Sequence, residues 1–304
     1  LSKISGAAIT AAQGPTVREA QALYLRQVGT GRSQTFFNSV ERAANCLIEG
    51  CGDKPIDAIS RSDVNNIRDS LIERGLTAAS VKRNLSTLRA LVWFACREVG
   101  LNPNSSFASV YLPKIESNRP ERMPIPLATI RTIQDECREL DDEARWLIAL
   151  LSDTGMRLSE ALGLQASDIV TQNGIPSASI QESHWRPLKT RSSTRTIPLV
   201  GAALWASGRL LESSDKGFLF PKYCDGKITK SNSASAALNK WLKPRVPQGC
   251  VIHSFRHSFR DRLRAVECPA DIIDAIGGWT TEGIGHQYGQ GHSLTVMHRW
   301  MQRL

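Results

Sequence analysis

The chain has 304 residues, 41% hydrophobic and 22% charged, which is enough to bury two ordinary cores and too apolar for wholesale disorder. A formal charge of +9 favours a polyanionic partner, with nucleic acid first among them. Seven scattered cysteines form no C-x-x-C pair, which argues against a disulfide framework or zinc knuckle and for reduced thiols in a cytoplasmic protein. No apolar run approaches a membrane span, so no membrane partner is expected; the start at Leu1 rather than Met leaves upstream residues open.

Residues 1–14, rich in Ala, Ser, Thr and Gly, carry no period and read as a flexible N-terminus. Residues 15–112 are helical in pattern. Thr16 can cap a helix carrying Val17, Ala20, Leu23 and Tyr24, and Ser39 to Ile48 reads as a second, ended by Gly50. Ser60 opens a third with Val64, Ile67 and Leu71 on one face. Thr77 to Val99 is the strongest, with Val81, Leu85, Leu88 and Leu91 at helical spacing. Its other face carries Lys82, Arg83 and Arg89, candidate DNA contacts. These four make a compact helical unit. Residues 113–126, with Pro113, Pro120, Pro124 and Pro126 among basic residues, read as a stiff extended linker.

Residues 127–290 are mixed. Helices are predicted at Ala128–Leu140, Asp142–Ser152, from about Arg157, at Ser231–Leu242, Ser254–Val266 and from Pro269 to Gly277. Ser179–Lys189 and Thr194–Val200 have strand character around the polar turn 190–193. The fold class is therefore mainly α with a small antiparallel β-sheet, in two domains. Residues 291–304 form a short terminal helix capped by Ser293, with Leu294, Met297, Trp300 and Met301 near one face. That pattern leaves open whether the helix docks on its own domain or on a neighbour. The glycine-flanked hinge at 289–291 favours a neighbouring protomer, in trans.

Several residues of the second half suit phosphodiester chemistry. Arg157, in Thr154-Gly155-Met156-Arg157-Leu158-Ser159-Glu160, follows a glycine break where a helix starts, so its fork and nearby backbone amides can meet a phosphate. Glu160 is placed to orient that guanidinium or cap the helix. Lys189 precedes a polar turn with Arg191 and Arg195 nearby. Arg256, Arg260 and Arg264 recur every fourth residue, a basic stripe, with His253 one turn before Arg256. His253 and His257, with His286 or His292, are an alternative zinc set, but no acidic or cysteine ligand completes it, so no metal is expected. His257 reads as bonded to backbone or packed near the core. Tyr288 lies in Gly285-His286-Gln287-Tyr288-Gly289, a pliable basic setting for a mobile nucleophile. Tyr24, Tyr111 and Tyr223 lie outside that setting.

The order of these motifs resembles the tyrosine recombinase (phage integrase) family: T-G-x-R-x-x-E, a hairpin lysine, H-x-x-R, G-H or G-W, then tyrosine. Here they fall on Arg157, Lys189, His253 with Arg256, Gly278-Trp279 and Tyr288, with nine residues from Trp279 to Tyr288 as in the family. Trp279 replaces the commoner histidine and supplies packing and an indole N–H. The resemblance implies a helical core-binding domain and a mixed α/β catalytic domain clamped around double-stranded DNA. It implies a site-specific recombinase that works through a 3′-phosphotyrosine without cofactor or metal, as a homo-oligomer, a tetramer on paired sites, with accessory DNA-bending proteins as further partners. Arg157 and Arg256 would hold the phosphate, Lys189 would act as acid, His253 as base, Trp279 as support and Tyr288 as nucleophile. Arg191, Arg195 and Arg260 are further candidate DNA contacts. A type IB topoisomerase-like enzyme or a DNA-binding protein without catalysis are the rival readings.

Overall fold

The computed structural model describes residues 14–103, 105–113, 123–215, 217–279 and 291–304; at Arg191 only the backbone is described. The chain divides into two compact units, residues 1–119 and 120–304.

The first unit packs α1 (Val17–Val28), α2 (Gln34–Cys51), α3 (Arg61–Glu73) and α4 (Ala78–Glu98). Its helices start where a side chain can satisfy the otherwise unpaired first amides. Thr16 accepts from Glu19 N–H while Glu19 returns to Thr16 N–H, Ser60 and Asp63 repeat the exchange, and Thr77 accepts from Ser80 N–H. Helix α2 is longer than the apolar period predicts. Its first turn sets Phe36 against Tyr24, with ring centroids 6.0 Å apart, and Phe37 edge-on to Phe36. It runs through Gly50 and stops at Gly52, where φ is +80°. Val40, Leu47, Val64, Leu88 and Val92 fill the core. Lys82, Arg83 and Arg89 stand exposed on α4, and the Arg89 guanidinium lies 4.0 Å over the Trp93 ring.

The second unit is built around α6 (Glu143–Thr154), whose residues from Leu147 to Thr154 are all buried. Packed on it are α5 (Leu127–Leu140), α8 (Gly201–Ser213) and α10 (Ser254–Ala265). The short α7 (Leu158–Leu162), α9 (Ser231–Leu242), α11 (Ala270–Gly277) and α12 (Leu294–Met301) complete the helices described. The sheet is an antiparallel meander of β1 (Ile169–Gln172), β2 (Ile175–Ile180) and β3 (Arg195–Pro198), registered Ile169 on Ala178 and Ile180 on Arg195. Of the strand expected over 179–189, only Ser179 and Ile180 belong to β2. Strand β2 ends at Ile180, and 181–190 is a loop with an isolated bridge between Ser183 and Arg186. The hairpin turns at Asn173 and Gly174, both at positive φ, as a tight two-residue turn requires.

One boundary differs from the sequence reading. Ile125, assigned to the linker, is 2% exposed in the second core, and its N–H donates to Ser258 Oγ at 2.7 Å. The end of that stretch therefore belongs to the second unit, while 114–122 lie outside the described residues. Helix α12 is capped by Ser293 as expected, and within this single chain it packs on its own unit. Met297 and Met301 are buried in the second unit's own core, and the helix packs on β2 and β3. A short helix gains stability only by burying its apolar face, and its own sheet is the surface it finds. Among the described residues no helix is long and apolar enough to cross a membrane.

Candidate active site

Gly155 makes the junction that aims the first arginine. It ends α6 at φ +60°, and a Cβ there would meet Phe259 Cδ1 at 2.5 Å, so both backbone and packing require glycine. Two residues later Arg157 becomes the N-cap of α7. Its N–H donates to Glu160 Oε2 at 2.9 Å, and its Nη1 donates to Glu160 Oε1 at 2.5 Å and to Ser193 Oγ at 2.8 Å. Glu160 therefore orients the guanidinium and caps the helix at once. Burial would push this carboxyl up, but Arg195 and the two bonds from Arg157 hold it below its usual value.

Arg256 comes from α10, whose N-cap is His253. It is 5% exposed; Nη1 donates to Gly155 O at 2.5 Å, and the guanidinium lies 4.3 Å over the Trp279 ring. Nη2 is buried without a protein acceptor. Burial, then the charges of Arg157 and Arg195, push its pKa down to about 9, so it remains cationic at neutral pH. A buried cation with an unmet donor beside two like charges is a costly arrangement that an anion would relieve. Arg260, one turn on, also stacks on Trp279 at 4.9 Å, pairs with Asp274 at 3.0 Å and keeps a buried Nε unmet. Trp279 is half-buried, its backbone N–H donating to Asp274 O at 3.0 Å.

Arg256, Arg260 and Trp279 open on a cleft of about 290 Å³, lined also by Pro124, His253, His257, Asp261 and Arg264. Arg157 does not line it but lies close enough for its charge to act on Arg256. His257 is exposed there, stacked edge-on to His253 with centroids 5.3 Å apart, rather than packed in the core or bonded to backbone as read from sequence. Among the described residues no group of three or more His, Cys, Asp or Glu side chains is gathered as for a metal.

Lys189 is exposed on the loop between β2 and β3. Arg186 anchors that loop on one side, buried and bonded to Asp168 Oδ2 at 2.8 Å and Gln181 O at 2.9 Å. On the other side Ser193 N–H closes the turn onto Thr190 O. Arg191 lies in that turn. Arg195, read from sequence as a candidate DNA contact, is 8% exposed and paired with Glu160 at 3.0 Å. Tyr288, and His286 of the alternative zinc set, lie outside the described residues. Of the competing tyrosines, Tyr223 is 5% exposed in the second core and Tyr24 packs on Phe36 and Phe94. Sequence reasoning missed Ser193 and the bond of Arg195 to Glu160, since only the fold brings either residue to the Arg157 site.

The buried, incompletely bonded Arg256 and the cleft beside it suit an anionic ligand such as a phosphate. The phage integrase family model matches residues 126–292, and that of the phage integrase N-terminal SAM-like domain matches 34–99. The chain belongs to the phage integrase family, and it is a tyrosine-type site-specific DNA recombinase. It is 26% identical over 223 residues to tyrosine recombinase XerC of Alcanivorax borkumensis, covering 70% of this chain and 69% of that one. It is 28% identical over 233 residues to tyrosine recombinase XerD of Rickettsia bellii, covering 70% and 73%. Its fold is similar to that of the Tn1549 transposon integrase in complex with a circular intermediate DNA, with TM-score 0.71, 20% identity and coverage of 96% and 100%. A lambda integrase tetramer bound to a Holliday junction is similar at TM-score 0.67, 15% identity and coverage of 90% and 77%.

Proposed function

We propose that Tyr288 attacks a backbone phosphate of duplex DNA, forming its Oη–P bond as the bond from phosphorus to the 5′-oxygen breaks. The product is a 3′-phosphotyrosine and a free 5′-hydroxyl. His253 accepts the phenolic proton, and Lys189 gives one to the departing oxygen. Arg157 and Arg256 neutralise the non-bridging oxygens as charge builds in the pentacoordinate transition state, and Trp279 backs Arg256. The ester conserves the energy of the broken bond, so a second 5′-hydroxyl can reverse the step without a nucleotide cofactor.

The observation that carries this reading is Arg256: desolvated, fixed by Gly155 O and Trp279, and left with an unmet donor. Exposed Lys82, Arg83, Arg89 and cleft-facing Arg260 supply further phosphate contacts, and Arg191 is proposed to join them. The chain acts on two paired sites as a homotetramer, a reading supported by the tetrameric lambda integrase it resembles. Accessory DNA-bending proteins would serve where two sites must be brought together. The topoisomerase-like and non-catalytic readings are not favoured, since the family match runs through the catalytic half and the residues of the chemistry are present. Incubation with a nicked half-site tests the assignment. Tyr288→Phe should bind but trap no covalent complex; an adduct that persists there and disappears with Tyr111→Phe would overturn it.

A further inference from the structure

Three catalytic elements of the second unit meet at one buried side chain that takes no part in the reaction. Arg195 sits at the start of β3, 8% exposed, and each branch of its guanidinium ends on a different element. Nη2 donates to Glu160 Oε2 at 3.0 Å, the carboxylate that holds Arg157. Nη1 donates to Ser193 O at 2.7 Å, in the turn that follows Lys189, while Ser193 Oγ receives Arg157 Nη1. Nε donates to Ile276 O at 2.9 Å, in the last turn of α11 before Trp279. Gly278 leaves room for this. At φ +64° it turns the chain towards Trp279, and a Cβ there would lie 2.8 Å from Arg195 Nη1.

The bonds to Glu160 and Ile276 join residues far apart in sequence, and the set of three cannot be made by a lysine in the same place, which has one donor centre in place of a planar fork. Burying the guanidinium is costly, and burial holds its pKa below the usual arginine value. A surface arginine here would avoid that cost, so the fold retains the charge for what its three branches hold.

We infer that Arg195 is a positioning residue of the cleavage reaction: it sets Arg157, the Lys189 loop and the Trp279 turn in mutual register. The inference rests on the proposed roles of Arg157, Lys189 and Trp279. It makes a distinctive claim about Glu160. The charged groups that face this carboxylate are Arg157 from its own turn, Arg195 from β3 and Arg256 from α10. Removing Arg195 takes away the strongest of them and leaves a buried carboxyl short of a partner, so its pKa rises. A protonated Glu160 no longer accepts two bonds from Arg157, and cleavage falls as pH falls through that raised value.

The experiment uses the full chain and a nicked half-site, with single-turnover adduct formation followed from acid to neutral pH. Arg195→Met should cleave about a hundredfold more slowly, as for a reacting group displaced by roughly an ångström, while DNA affinity stays near that of the parent. The acid limb of its rate profile should move to higher pH, and Glu160→Gln in the same chain should remove that limb. Arg195→Lys, which keeps a cation beside Glu160, should return the limb towards the parent position and recover only part of the rate. If Arg195→Met fails to fold by circular dichroism, Arg195→Lys alone carries the test through its unequal rescue of pH profile and rate. The inference is overturned by parent-like cleavage in Arg195→Met, by an unmoved pH profile, or by loss of DNA binding in proportion to cleavage. A parent protein that forms no adduct would count against the proposed chemistry instead, and Arg157→Ala and Tyr288→Phe on the same substrate separate the two failures.

Discussion

The basic residues of the two units do different physical work. On α4 of the first unit, Lys82, Arg83 and Arg89 are solvated, so each gains little from fixed geometry, and the contribution proposed for them is to displace counterions from DNA. In the second unit, Arg195 and Arg256 are buried, and Arg157 is about one-fifth exposed and bonded at two points. They are held before substrate arrives, with like charges close together and Arg256 short of an acceptor. On the proposed roles, the contrast assigns the finding of DNA to solvated charge and the action on one phosphate to desolvated, oriented charge. Binding should be sensitive to salt through the first set, and catalysis should be sensitive to geometry through the second.

The harshest way to break this contrast is to delete a buried guanidinium. Arg256→Ala should lower the cleavage rate by about a thousandfold, the scale of losing a preorganised donor to developing charge. Affinity for an uncleaved site should change little. Equal losses in both measurements would erase the distinction between the two sets.

Lys189 sharpens it, since this cation is exposed yet assigned a chemical role. Lys189→Ala should lose about a hundredfold in rate, within the range of general acid catalysis, on an ordinary phosphodiester. A 5′-bridging sulfur departs without a proton, so it should restore most of that rate; equal impairment on both substrates would remove the role.

Changes on α4 should read out differently. Replacing Lys82, Arg83 and Arg89 together by alanine should flatten the plot of log affinity against log salt by about 0.9 for each phosphate no longer neutralised. Cleavage of the DNA that remains bound should be unchanged. The smallest effect is expected for Arg89→Ala alone, under about 1 kcal/mol, because its stacking on Trp93 is open to solvent. A steeper drop from that single change would mean that Arg89 reads a base rather than a phosphate.

The sequence was most legible where chemistry is encoded in short motifs. The turn before Arg157, the step from His253 to Arg256 and the Gly278-Trp279 pair each depend on neighbours within about one turn of chain. Caps at Thr16, Ser60, Thr77 and Ser293 were legible for the same reason. The burial of Arg195 was not legible because its partners Glu160 and Ile276 are 35 and 81 residues away, so nothing local marks it. Helix α8 was missed for a related cause: its first turn is capped by the Asp153 carboxylate, which accepts from Ala202 N–H 49 residues on. The amphipathic stripe of α12 was plain, but an apolar face does not state which surface receives it, and the receiving sheet was only partly read. That shortfall was avoidable, since Asn173-Gly174 between Gln172 and Ile175 is a local hairpin signal.

The central claim is that Arg157 and Arg256 serve the negative charge of a single phosphate. The direct measurement replaces one non-bridging oxygen of the scissile phosphate by methyl, which makes that phosphate neutral, and compares cleavage by the parent and by Arg256→Ala. With no charge left to neutralise, the penalty of Arg256→Ala should shrink from about a thousandfold to about tenfold or less. An undiminished penalty on the neutral substrate would contradict the account, and Arg256 would then hold the fold of the cleft rather than the phosphate within it.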